Sequence, residues 1–132
     1  MIIDTSALIA LLQQEPEAKT ISEALEAASE RIAISAATLF EAGIIADRSR
    51  DPAVGRRFDE ICSAIGFAVI PFDHAQGRIA RQAYRDFGKG SGHPARLNFG
   101  DCFAYALAKT LDEPLLYKGT NFGKTDVKSA VP

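Results

Sequence analysis

Short apolar runs alternate along this chain with longer stretches in which apolar residues recur every three or four positions. Met1 to Asp4 is the first run; it ends in an acid and leads directly into Ser6-Ala-Leu-Ile-Ala-Leu-Leu, the pattern of a buried helix. Pro16 suits the first turn of a second helix, whose Ala18, Ile21, Leu25 and Ala28 fall at helical spacing. Arg31 to Ser35 reads as a second strand. Ser35 can then cap a helix running to about Arg48, with Leu39, Phe40, Gly43 and Ile44 expected on its buried face. Asp51-Pro52 starts a fourth element, marked by Val54, Phe58, Ile61 and Ile65.

Phe67 to Ile70 is a third strand, closed by Pro71, and Asp73 can cap a helix carrying Ile79, Ala80, Ala83 and Phe87. Three glycines and a proline keep the segment from Gly88 to Leu97 irregular. Asn98 opens a last helix to about Leu111, and Leu115 to Tyr117 is a fourth strand broken by Gly119. Strands alternating with helices predict a three-layer α/β/α fold around a mainly parallel sheet of four or five strands. With 132 residues and no visible repeat or linker, a single domain over residues 1–132 is expected.

Composition narrows the class further. Hydrophobic residues make up 47% of the chain and charged residues 24%, enough to build a core without disulfides or structural metal. The longest apolar stretch, Ala7 to Leu12, is far too short to span a membrane. The Met-Ile-Ile-Asp start has no basic leader, so a cytoplasmic location is expected. Cys62 and Cys102 fall in apolar helical patterns and read as small core residues. The net charge of −2 hides an asymmetry: residues 1–66 hold six Lys/Arg against eleven Asp/Glu, residues 67–132 nine against six. That balance speaks against nucleic-acid binding through a broad basic surface alone, while leaving room for a basic rim around an acidic centre.

Ligands of open parallel sheets sit beyond the carboxyl ends of the strands. Asp4 ends strand 1, Glu41 lies in the second turn after Ser35, and Asp101 lies in the first turn after Asn98. Each has an ordinary use as well: Asp4 as a helix cap, Glu41 as a solvent-facing side chain, Asp101 in a capping box with Asn98. Sent to one sheet edge, three carboxylates raise each other's pKa unless a cation neutralises them. A hard divalent ion such as Mg²⁺ is the economical partner, since Cys62, Cys102, His74 and His93 have no ligand spacing. Such an ion suits phosphate-ester chemistry, with Arg96, Lys118 or Lys124 available for flanking phosphates and Thr5, Ser6, Ser35 and Thr38 beside the acids.

Four blocks carry a family resemblance. The opening Met1-Ile-Ile-Asp-Thr-Ser-Ala-Leu-Ile-Ala, Ser35-Ala-Ala-Thr-Leu-Phe-Glu-Ala, Ala95-Arg-Leu-Asn-Phe-Gly-Asp-Cys-Phe-Ala-Tyr-Ala-Leu-Ala and Pro114-Leu-Leu-Tyr-Lys-Gly, with Phe122 and Thr125-Asp-Val beyond, resemble PIN-domain ribonucleases. The likeness is strongest to the VapC toxins of bacterial toxin–antitoxin pairs, end to end and in order. It implies a Mg²⁺- or Mn²⁺-dependent endoribonuclease that cuts transfer or ribosomal RNA and inhibits translation. Asp4 and Asp101 would be the principal metal-binding acids and Glu41 the third member. The resemblance also implies a homodimer and a VapB-type antitoxin whose C-terminal segment blocks the site. The complex would contact operator DNA only through that antitoxin.

One position departs from the pattern. Such toxins usually carry an acid two residues after the glycine that follows the last strand, whereas Gly119-Thr-Asn121 places an amide there. Asn121 can offer a carbonyl oxygen or hold a metal-bound water but adds no charge, which favours one metal ion, or a second recruited only with RNA. Asp126 stands nearby and could compensate for the missing acid, though fixing of the C-terminal turn is its expected role. Two other functions compete: an RNA-binding module that has lost turnover, and a phosphoacceptor signalling domain, for which Asp73 is the only candidate acceptor.

Overall fold

The computed structural model describes all residues, Met1 to Pro132. Its architecture follows from two adjacent isoleucines. Strand β1 is only Ile2–Ile3, and because side chains alternate across a strand, Ile2 and Ile3 enter different cores. Ile2 joins Ala33 and Leu115 under helices α5 (His74–Phe87) and α6 (Phe99–Leu111). Ile3 joins Ile34 and Leu116 under α1 (Thr5–Leu12), α2 (Ala18–Ala27), α3 (Ala36–Asp47) and α4 (Pro52–Ile65). The two isoleucines and both leucines are at most 1% exposed, and each such burial contributes about 1.5–3 kcal/mol relative to exposure. The register is thereby fixed, because a one-residue slip would exchange the two faces.

The sheet is four-stranded and parallel in every pairing, in the order β3 (Ala68–Ile70), β2 (Ala33–Ser35), β1, β4 (Leu115–Leu116). The chain builds outward from β1 to β3 on one side and returns to place β4 on the other. That reversal puts a crevice at the carboxyl end of β1, where open α/β sheets bind ligands. Beyond β4, Leu115 N–H donates to Lys128 O and Ala130 N–H to Leu115 O, so the C-terminal segment covers the free edge of the sheet. No helix is long and apolar enough to cross a membrane.

Six helices and four strands match the sequence pattern, but the rotation of α3 does not. Phe40 is 72% and Ile44 41% exposed, whereas Thr38, Ala42 and Ala46 face inward. Small residues at four-residue spacing form the packed stripe, and the positions two residues further on lie on the opposite side of the helix. The glycine-rich segment is more ordered than its composition implies. Lys89 N–H donates to Leu97 O and Leu97 N–H to Phe87 O, both at 2.9 Å, burying Ala95 and Leu97. His93 holds this loop together: its Nδ1 accepts from Ala95 N–H at 3.0 Å, and its ring stacks edge-on with Phe87.

Candidate active site

Asp4 does two jobs where β1 becomes α1. Its extended backbone ends the strand, and its Oδ2 accepts from both Ser6 N–H (3.0 Å) and Ser6 Oγ–H (2.6 Å) to cap the helix. Ser6 Oγ in turn accepts from Lys118 N–H at 2.9 Å, tying the cap to the residues after β4. Asp4 Oδ1 is buried and has no partner. An orphaned carboxylate oxygen at the carboxyl end of the central strand calls for a positive charge or water.

Glu41 and Asp101 reach the same cleft, a cavity of about 310 Å³ that Asp4, Thr5, Ser6, Glu15, Asn98 and Lys118 also line. Thr5 Oγ1–H donates to Glu41 Oε1 at 2.5 Å. Asp101 Oδ2 accepts from Asn98 N–H while Asn98 Oδ1 accepts from Asp101 N–H, the reciprocal capping box that the sequence suggests. Each acid therefore has one oxygen held by a protein donor and one left without a protein partner. Gly100 makes the approach possible. A Cβ there would overlap the Glu41 carboxylate, so the missing side chain lets α3 and α6 bring two acids together. The glycine one residue before Asp101 in the first turn of α6 is the signal for this close approach, and spacing alone does not mark it.

The electrostatics follow from this crowding. Burial, with Asp101 and Glu41 adding to it and the Ser6 hydrogen bonds opposing it, lifts the Asp4 carboxyl to about 7. Burial also raises Asp101, with Glu41 adding to it and its capping hydrogen bond and Lys89 opposing it. Lys89, in the glycine-rich loop, is the cation whose field reaches Asp101, and spacing gave no hint of it. Lys118 lines the cleft but is ion-paired to Glu15, with Glu17 3.9 Å away. Arg96 and Lys124 are exposed and line no part of the cleft. Burial and the neighbouring Asp101 push the Cys102 thiol up to about 11, so it stays protonated.

Other candidates are placed elsewhere. Asn121 is exposed ahead of a 3₁₀ turn (Phe122–Lys124), caps nothing with its side chain and is not among the cleft-lining residues. Asp126 is engaged on both oxygens, by Tyr105 Oη–H at 2.6 Å and Lys109 Nζ at 3.0 Å, and so ties the C-terminal segment to α6. Asp73 caps α5 through Gln76 N–H after an edge strand, outside the cleft, which leaves a phosphoacceptor site without its acceptor.

The PIN-domain family model matches residues 1–128. The chain belongs to the PIN-domain family. Within it, this PIN domain is 51% identical over 131 residues to ribonuclease VapC28 of Mycobacterium tuberculosis, covering 99% of this chain and 98% of that one. Among solved structures, its fold is similar to M. tuberculosis VapC20, a sarcin–ricin-loop-cleaving toxin (TM-score 0.76, 14% identity, 99% and 98% coverage). It is also similar to a chain of a toxin–antitoxin complex from Klebsiella pneumoniae (TM-score 0.67, 21% identity, 92% and 88% coverage). The chain is thus a VapC-type PIN domain.

No three His, Cys, Asp or Glu side chains close into a ready-made metal cage in this PIN domain. The donor set nevertheless suits Mg²⁺: oxygen ligands only, one orphaned buried oxygen, and an open cleft. Mg²⁺ commonly uses one or two carboxylates and keeps several waters, so a cage is not required.

Proposed function

We propose that this PIN domain is a Mg²⁺-dependent endoribonuclease, with Mn²⁺ as a possible substitute, acting as the toxin of a type II toxin–antitoxin pair. Its substrate is transfer or ribosomal RNA, whose cleavage inhibits translation. The reading rests on one observation above the others: three carboxylates from β1, α3 and α6 share a cleft at the strand-order reversal, each with an oxygen to spare. Near-full-length identity to named ribonucleases supports the same chemistry.

In this reading Asp4 and Asp101 hold the ion and Glu41 ligates it or orients the attacking water. When bound, Mg²⁺ supplies charge that polarises a phosphoryl oxygen and offsets the charge growing on the leaving oxygen. Ser6 fixes Asp4 through Oδ2, which leaves Oδ1 for the cation. The Thr5 hydroxyl fixes Glu41 in a rotamer suited to accepting a proton from water as it attacks in line. Lys89 offsets part of the negative charge around Asp101. Asn121, exposed and outside the cleft lining, has at most a water-mediated part, and one ion suffices.

The remaining partners belong to the same proposal: a homodimer, a VapB-type antitoxin covering the cleft, operator DNA contacted through that antitoxin, and a cytoplasmic setting. A chain similar to a member of a toxin–antitoxin complex supports the antitoxin. The test uses protein freed of any antitoxin, on structured RNA, with Mg²⁺ or EDTA. Cleavage leaving 5′-phosphate and 3′-hydroxyl ends, lost in EDTA and in Asp4→Asn and Asp101→Asn, is expected. Equal cutting by those variants overturns the site, and RNA binding without cutting under any divalent ion establishes a binding module instead.

A further inference from the structure

Lys118 is the one cation among the residues that line the acidic cleft, against four carboxylates, those of Asp4, Glu15, Glu41 and Asp101. Its backbone is pinned beside Asp4. Asp4 N–H donates to Leu116 O at 3.0 Å, and Lys118 N–H donates to Ser6 Oγ, the hydroxyl that holds Asp4 Oδ2. The side chain is free of that anchor. Its ammonium is hydrogen-bonded to Glu15, with Glu17 3.9 Å away. Both acids lie in the connection between α1 and α2, which Glu15 N–H closes by donating to Ala10 O at 3.0 Å.

A cleft with that balance of charge repels RNA, and the only cation on its wall is already spent on carboxylates. The pair is easily exchanged. The Lys118 side chain is 36% and that of Glu15 22% exposed, so water and salt screen them, and hydrated pairs of this kind are favoured by no more than about fivefold. A lysine has a flexible four-carbon stem, and its compact ammonium takes carboxylate and phosphate oxygens alike. We propose that Lys118 is the phosphate-binding residue of the cleft, masked in the free protein by Glu15 and Glu17. RNA binds by exchanging those carboxylates for the phosphate next to the scissile one, which makes Glu15 an internal competitor of the substrate. The exchange rests on the ribonuclease reading for the position of the scissile phosphate, while the binding is measured without cleavage.

The experiment is fluorescence anisotropy of the full chain with a labelled oligouridine of roughly 12 nucleotides, with Ca²⁺ in place of Mg²⁺. Lys118→Met, which keeps the stem and removes the charge, weakens binding about five- to tenfold, and Lys118→Arg retains affinity. Glu15→Gln tightens binding about two- to fivefold, and Glu17→Gln, at the longer distance, by less. Removing any acid from the cleft also lessens repulsion of RNA, so the double variant decides. With Lys118→Met in place, the Glu15→Gln gain disappears, because no cation is left to release. In cleavage assays with Mg²⁺, Lys118→Met raises KM and leaves kcat within about twofold, as expected for a phosphate that binds without reacting. Lys19→Met, an exposed cation on α2 outside the cleft, changes neither. Urea denaturation checks that the variants are compared at equal folded fraction. An equal Glu15→Gln gain with and without Lys118 overturns the exchange and assigns the effect to general repulsion. Unchanged affinity in Lys118→Met overturns it too, leaving the pair as a tie between the α1–α2 connection and the end of β4, and so does absence of binding by the unmodified chain. Cleavage whose KM ignores Lys118 removes the exchange and keeps the ribonuclease reading. Binding that follows Lys118 and Glu15 in a chain unable to cut RNA with Mg²⁺ supports the exchange and removes that reading alone.

Discussion

Asp4 and Asp126 are the same side chain placed in opposite circumstances. Asp126 stands at the surface with both oxygens engaged, and the Tyr105 hydroxyl and Lys109 ammonium hold its carboxyl below the usual range. Asp4 is 3% exposed, keeps one oxygen unpaired and is lifted to about 7 by burial among other acids. Evolution of a stable fold alone favours the first arrangement. The second costs stability and is explained by a ligand, since perturbed carboxylates in clefts mark functional sites more often than structural ones. Asp4 ends a strand and Asp126 follows the 3₁₀ turn, and it is their partners that separate them.

The contrast is broken most directly by removing the two charges in turn. Asp4→Asn is expected to lower RNA cleavage by about 10³-fold or more, the effect of losing several kcal/mol of charge stabilisation in the transition state. Asp126→Ala should leave cleavage per folded molecule unchanged. Loss of activity in both, measured on protein of equal folded fraction, would erase the distinction.

The pH dependence of stability sharpens it. In EDTA, the folded state holds a proton on Asp4 that the unfolded chain has released between pH 4 and 7. Stability therefore falls as pH rises through that window, by roughly 4 kcal/mol for a shift from 3.8 to about 7, and levels off above it. Asp4→Asn should flatten this limb in urea denaturation. Asp126 has the opposite sign: its contribution is present above the ordinary carboxylate range and is lost as pH falls through its lowered value. An unchanged wild-type slope in Asp4→Asn would show that burial does not act as described.

Smaller effects follow. Mg²⁺ should raise the unfolding free energy of the parent chain by about 3 kcal/mol at a hundredfold excess over its dissociation constant, and by much less in Asp4→Asn. Gly100→Ala displaces the Glu41 carboxylate, and about a tenfold loss of cleavage is expected with little change in helix content. The Asp126→Ala substitution should cost only about 1 kcal/mol, because Tyr105 loses its acceptor at a partly hydrated position.

Much of the fold was legible because its signals are local. Apolar runs of two to four residues, caps at Ser35, Asp51, Asp73 and Asn98, and the Asp51-Pro52 start are all written within a few residues of where they act. The parallel sheet follows from their alternation. The rotation of α3 was not legible, since Phe40 and Ile44 look like core residues until the sheet and α1 select the smaller stripe Thr38, Ala42 and Ala46. The candidate site divides along the same line. Sequence determined that carboxylates would end β1, stand in the second turn of α3 and in the first turn of α6, because caps and strand ends are local chemistry. Only tertiary structure decided that the Thr5 hydroxyl holds Glu41 and that Asp4, held locally by Ser6, is buried with its other oxygen open. It also decided that a missing side chain at Gly100 admits Glu41, and that Asp126 is neutralised while Asp4 is not. Those outcomes depend on contacts between residues roughly 20 to 100 positions apart, and no local pattern encodes the burial or the partners that long-range packing imposes.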